Sequence, residues 1–131
     1  MATNRRTRPP LSDGQLEIMQ IVWDGGGVTV AEVWNRLSAR RRIARNTVQT
    51  MMVRLEAKGW LRHRRAGNTF VYTAAAGRAA TLRRMVASLV DAAFDGSAED
   101  LVLALLDGRG VSDEEVSRIR KMIDEAKGSQ R

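Results

Sequence analysis

Apolar positions recur every three or four residues through most of the chain, in runs separated by short polar or glycine-rich breaks. In the first run Leu16, Met19, Ile21, Val22 and Trp23 share a helical face that stops before Gly25-Gly26-Gly27. Ser12, followed three residues later by Gln15, supplies a capping box at its start. A second run, Val30, Val33, Trp34 and Leu37, opens at Thr29 with Glu32 in the matching position and frays near Ala39. The stretch Arg40 to Arg45 then reads as a basic connection. The third helix is expected to start at Asn46, a good N-cap residue with Gln49 three residues on; Val48, Met51, Met52 and Leu55 form its apolar face and Gly59 marks its end. At about 100° per residue, Asn46, Thr50, Val53, Arg54 and Ala57 point the other way.

The period changes after Gly59. Trp60 to Arg65 and Thr69 to Thr73 are rich in β-branched, aromatic and long residues, and the two-residue link Gly67-Asn68 between them predicts a β-hairpin. Leu61, Phe70 and Tyr72 are expected to bury against the helices, with Arg62, Arg64, Arg65 and Asn68 taking the other positions and the tip. Val28 can pair briefly as a strand. Beyond Ala74-Ala75-Ala76-Gly77 helical spacing returns in Leu82, Met85, Val86, Leu89, Val90, Ala93 and Phe94. Ser97 opens another helix with Leu101, Val102, Leu105 and Leu106, and Ser112 with Glu115 caps a last one carrying Val116, Ile119, Met122 and Ile123. The fold class is therefore mostly α with a small β-hairpin. Three helices in about 50 residues cannot bury this much apolar surface among themselves, so a second copy of the chain is the expected cover. The expected dimer interface comprises Leu82, Met85, Val86, Leu89, Val90, Phe94, Leu101, Leu105, Ile119 and Ile123; folding back onto the first domain is the alternative.

Charge is distributed unevenly over these elements. Up to Arg78 there are fourteen Lys or Arg against five acids, and beyond it eight against ten, within a net charge of +7. The first part can attract a polyanion and the second adds nothing to that attraction. Length, at 131 residues, allows one compact domain, or a small domain plus an accessory segment. The expected division is a disordered basic arm over 1–10, a domain of helices and hairpin over 11–77 and a C-terminal helical dimerisation domain over 78–131. No apolar run approaches the ~18 residues of a membrane span, and Arg5, Arg6 and Arg8 precede no apolar stretch, so neither a membrane partner nor a secretory signal is expected and a cytoplasmic location is. The absence of cysteine excludes disulfides, thiolate metal sites and a cysteine nucleophile.

A helix pair followed by a basic hairpin suits the DNA major groove. Short polar side chains on the outward flank of the third helix would permit close approach to base edges and supply donors and acceptors. Base readout is thus expected from Asn46, Thr47, Gln49 and Thr50, and positioning on phosphates from Arg45, Arg54, Arg64 and Arg65. The partner would be double-stranded DNA, read by a homodimer; a module binding another protein or RNA is the alternative. Enzymatic readings fare badly. The sole histidine, His63, lies in an expected strand among arginines, and nothing completes a catalytic triad or a metal site. No cofactor is expected. Gly25-Gly26-Gly27 lacks the Lys-Ser/Thr of a phosphate loop and reads as a helix exit.

Several runs carry a family resemblance: Leu16-Glu17-Ile18-Met19 with Ile21-Val22-Trp23, Thr29-Val30-Ala31-Glu32-Val33, Asn46 through Leu55, Lys58-Gly59, and Phe70-Val71-Tyr72. In order and spacing the chain resembles the BlaI/MecI/CopY penicillinase-repressor family of winged-helix transcriptional regulators across nearly its whole length. The resemblance implies a winged helix-turn-helix domain with a C-terminal helical dimerisation segment, in a dimeric repressor that occludes transcription from a dyad-symmetric operator. It also places Thr47, Gln49 and Thr50 against bases, and Arg54 and the wing against the DNA backbone. Many such repressors are relieved through a membrane sensor or protease that triggers cleavage at an Asn-Phe bond in the tail; the corresponding stretch here reads Leu103-Ala104-Leu105. Copper-sensing relatives carry cysteine pairs, which this chain lacks.

Overall fold

The computed structural model describes residues 8–129. Its elements run α1 (Asp13–Gly25), α2 (Val30–Ser38), α3 (Arg45–Ala57), β1 (Leu61–Ala66), β2 (Thr69–Ala74), α4 (Arg78–Ala93), α5 (Ala98–Asp107) and α6 (Asp113–Ser129). The strands form one antiparallel hairpin, paired from Leu61 with Ala74 to Ala66 with Thr69. Helix starts follow the local chemistry. Ser12 Oγ accepts from the Gln15 N–H at 3.2 Å while Gln15 Oε1 accepts from the Ser12 N–H at 2.9 Å. Thr29 Oγ1 caps α2 by accepting from the Glu32 N–H at 3.2 Å, and Ser97 and Ser112 act likewise for Asp100 and Glu115. Each such cap satisfies an N–H that the helix leaves without a partner.

One core is buried, built from Ile18, Met19, Ile21 and Val22 of α1, Val33 and Leu37 of α2, Val48, Met52 and Leu55 of α3, and Val28, Trp60, Leu61 and Tyr72. Leu16, expected on the core face of α1, is only half-buried, and Ile18 takes the fully buried place. The brief strand pairing of Val28 is present as a two-way bridge: its N–H donates to the Tyr72 carbonyl at 2.9 Å and its carbonyl accepts from the Tyr72 N–H at 2.7 Å. Leaving the hairpin, the chain is tied back to α1, since Trp23 Nε1 donates to the Ala76 carbonyl at 2.9 Å and Arg78 Nε to Gln20 Oε1 at 3.2 Å.

Part of the basic arm expected over 1–10 is not loose. Arg8 Nε donates to the Gly59 carbonyl at 2.7 Å with its guanidinium over the Trp60 ring, and the Pro9 carbonyl accepts from Trp60 Nε1 at 3.0 Å. An indole N–H needs a partner when its ring is buried, and the proline-rich segment brings one. Residues 1–7 of that arm, Arg5 and Arg6 among them, lie outside the described residues.

The chain divides after Met85 into two compact units, within α4, whereas the sequence places the boundary before Arg78. In the second unit, α5 and α6 each combine apolar and charged residues, and among the described residues beyond Thr81 no side chain is buried. Val86, Leu89, Val102, Leu103, Leu105, Leu106, Ile119, Met122 and Ile123 are all exposed. Of the other expected interface positions, Leu82, Met85, Val90, Phe94 and Leu101 are half-buried. No helix of the described residues is long and apolar enough to cross a membrane.

Candidate nucleic-acid interface

Helix α3 is the centre of the site, and its inner face explains its placement. Val48, Met52 and Leu55 are fully buried, which leaves Arg45, Asn46, Thr47, Gln49, Thr50, Val53, Arg54 and Ala57 exposed. The expected outward flank is therefore the real one. Its start differs from expectation. Asn46 is not the N-cap: Ala44, extended at φ −79° and ψ 146°, takes that place with no side-chain cap, and Arg45 already belongs to the helix. The cause is tertiary. Trp34 Nε1 of α2 donates to the Ile43 carbonyl at 2.9 Å, and Arg41 Nη2 meets Glu17 Oε1 of α1 at 2.9 Å, which together fix where the connection turns. A capping preference of about 1 kcal/mol gives way to such anchoring. The Asn46 side chain is thereby released from capping and stands on the exposed first turn.

At its other end α3 closes in a Schellman turn. The Gly59 N–H donates to the Glu56 carbonyl at 3.0 Å and the Trp60 N–H to the Leu55 carbonyl at 2.9 Å. Gly59 adopts φ 87°, a left-handed value open to glycine at little cost. Trp60 drops into the core two residues after the cap, so β1 starts at once. The hairpin reverses at Gly67, φ 64°, with Asn68 second in the link, the arrangement of a II′ turn that matches strand twist.

One expectation for this hairpin needs correction: Phe70 is not buried but 44% exposed. Strand alternation puts Leu61, His63 and Arg65 on one face, opposite Ala74, Tyr72 and Phe70, while Arg62 and Arg64 lie on the other, opposite Thr73 and Val71. The inner face is covered only near its base, where Leu61 and Tyr72 are buried; towards the tip the helices no longer reach. Phe70 packs instead on its neighbours. Its ring stacks on His63 at 4.3 Å between centroids with 25° between planes, and the Arg65 guanidinium carbon lies 6.0 Å above it.

Sequence reading also missed the partner of His63. Its Nδ1 lies 2.7 Å from both Oε1 and Oε2 of Glu56, the carboxylate in the last turn of α3. Burial, and secondarily that same carboxylate, pushes the Tyr72 phenol above its ordinary pKa. Among the described residues Arg45, Arg54 and Arg64 form no ion pair, so their charge is uncompensated within the chain. The arrangement is a polar helix flank with cations beside it and on a projecting hairpin, shaped to meet a polyanion. No group of three or more His, Asp or Glu among the described residues could hold a metal ion.

Comparison with known proteins agrees with this geometry. A family model described as penicillinase repressor matches residues 11–125. The penicillinase repressor of Bacillus licheniformis is 30% identical over 119 residues, covering 91% of this chain and 93% of that one. The solution structure of the Bacillus licheniformis BlaI monomeric form in complex with the blaP half-operator is 36% identical, covers 56% of this chain and 89% of that one, and superposes with a TM-score of 0.50. Wild-type MarR from E. coli in its apo form, 18% identical, shares the fold over 88% of this chain and 78% of its own, with a TM-score of 0.52. The Bacillus licheniformis relative is a repressor and not an enzyme, and the fold shared with BlaI and MarR is a winged helix. With both the family model and a curated relative running nearly end to end, the chain belongs to the penicillinase repressor family.

Proposed function

We propose that the protein is a cytoplasmic transcriptional repressor that binds a dyad-symmetric operator in duplex DNA as a homodimer and occludes transcription of its target genes. The observation carrying this reading is the exposed flank of α3, with Asn46, Thr47, Gln49 and Thr50 on a helix whose opposite side is the core. Arg45 and Arg54 on the helix and Arg64 and Arg65 on the wing serve as phosphate contacts. The uncapped first turn of α3 can add backbone N–H groups to those contacts. The BlaI relative bound to a half-operator supports duplex DNA as the partner.

Pairing is supported by the tail. Leu82, Met85, Val86, Leu89, Val90, Phe94, Leu101, Leu105, Ile119 and Ile123, together with Val102, Leu106 and Met122, are exposed or half-buried, and apolar side chains grouped in this way mark an interaction surface. A twofold partner would cover it and set two copies of α3 about 34 Å, or a multiple, apart. A sensor-triggered protease acting at Leu103-Ala104-Leu105 would meet that stretch inside α5, so cleavage would require local unwinding of the helix first.

Footprinting on the region upstream of the chain's own gene tests the reading, with a protected inverted repeat as the expected result. On that site Gln49→Ala should cost about 1–3 kcal/mol and relax preference at one base pair; equal loss on random duplex would contradict a readout role. Arg65→Ala should weaken every duplex and lower the salt slope by about 1. An unchanged slope would remove Arg65 from the phosphate contacts. Single-stranded DNA and RNA titrated in parallel should bind more weakly, and tighter binding to either would favour an RNA-binding winged helix.

A further inference from the structure

We infer that Glu56 and His63 are positioning residues for the wing: the α3 carboxylate holds the His63 ring, His63 carries Phe70, and Phe70 steadies the Arg65 guanidinium for its phosphate. This deepens the proposed reading and rests on it.

The links are geometric. His63 Nδ1 is 2.7 Å from both Glu56 oxygens, the His63 and Phe70 rings stack at 4.3 Å, and Arg65 lies 6.0 Å over Phe70. The four residues form one continuous path from the reading helix to the wing tip. Among the described residues the core gives that tip no support, because every residue from Arg62 to Phe70 is exposed and burial ends at Leu61 and Tyr72. A long arginine side chain loses several rotatable bonds when it grips a phosphate, and a ring beneath it settles part of that ordering beforehand. The pair is also well placed to last. Glu56 and His63 side chains are 31% and 34% exposed, so water screens them less than a fully surface pair.

Simple electrostatics makes the opposite forecast. Glu56 is an acid in a stretch of chain otherwise charged by Arg54, Lys58, Arg62 and Arg64. If it acted only through charge, its removal would tighten binding to a polyanion. As a positioning residue its removal weakens binding, although one negative charge has gone.

The test is a salt titration of the operator duplex with the full chain and the variants Glu56→Ala, Glu56→Gln, Arg65→Ala and the Glu56→Ala/Arg65→Ala double. Glu56→Ala should weaken binding about three- to tenfold and lower the salt slope by about 1, as Arg65→Ala does, and the double variant should be no worse than Arg65→Ala alone. Glu56→Gln keeps an oxygen that accepts from His63 Nδ1–H and should restore near-normal behaviour. In the free protein the Arg65 Nε–H resonance, displaced by the Phe70 ring, should move in Glu56→Ala and stay in Glu56→Gln. Should Glu56→Ala misfold, Phe70→Leu at the exposed position breaks the same path and should give the same slope. Unchanged or tighter binding by Glu56→Ala, or losses that add in the double variant, would overturn the inference. If Arg65→Ala behaves as expected and Glu56→Ala does not, only this inference fails; if the unaltered chain does not favour duplex DNA, the proposed function fails and takes this inference with it.

Discussion

A chain carrying Leu105→Glu and Ile119→Glu is expected to sediment as a monomer under conditions in which the unaltered protein is expected to pair, and to lose about 10²–10⁴-fold in affinity for a two-half-site operator. Its affinity for a single half-site should hold. Both residues are more than two-fifths exposed, at 42% and 41%, in helices whose described side chains are nowhere buried, so the substitutions do not disturb a core within the chain. In the proposed dimer the same positions are covered. A carboxylate buried there without a partner costs several kcal/mol per site, enough to dissolve a modest interface. Sedimentation equilibrium with and without a half-site duplex checks both halves of the expectation. A double variant that still pairs would move the interface off α5 and α6.

The second large effect concerns the reading helix itself. Leu55→Ala should destabilise the amino-terminal unit by about 2–5 kcal/mol, since the side chain is wholly buried among the residues of α1, α2 and the wing base. In a unit of this size each kcal/mol lowers Tm by about 4–8 °C. Val53→Ala, two positions earlier and 52% exposed, should stay within about 0.5 kcal/mol. Thermal unfolding followed by far-ultraviolet circular dichroism separates the two. A large loss at Val53 with a small one at Leu55 would mean that α3 is rotated about its axis, which would also bury the residues assigned to DNA.

Much of this architecture was legible because it is local. Ser12 with Gln15, Thr29 with Glu32, Ser97 and Ser112 each cap a helix within three residues of themselves, and a reader of the chain meets cap and helix together. The outward flank of α3 follows from the spacing of Val48, Met52 and Leu55 in the same way. What the sequence hides is set at a distance. Asn46 has the chemistry of a cap, but Trp34 and Glu17, each on another helix, decide where the turn falls. Phe70 alternates correctly with Tyr72; alternation names a face without saying how far along it the core extends. Arg8 and Pro9 look like a free end until Trp60 supplies a ring and an N–H for them. Glu56 and His63 become neighbours only because the turn at Gly59 folds the chain back between them.

That turn has one more consequence for a half-site. With the helix closing at Lys58 and Trp60 already anchored, no flexible spacer separates α3 from the hairpin, the two prongs proposed to meet DNA. Their span is fixed inside each chain, as in a pair of callipers locked at one setting, while in the proposed dimer the gap between successive half-sites would be measured by a different part of the chain. Operators that differ in spacer length could then be accommodated through changes in the tail alone, whereas the footprint of each prong pair on DNA should stay constant.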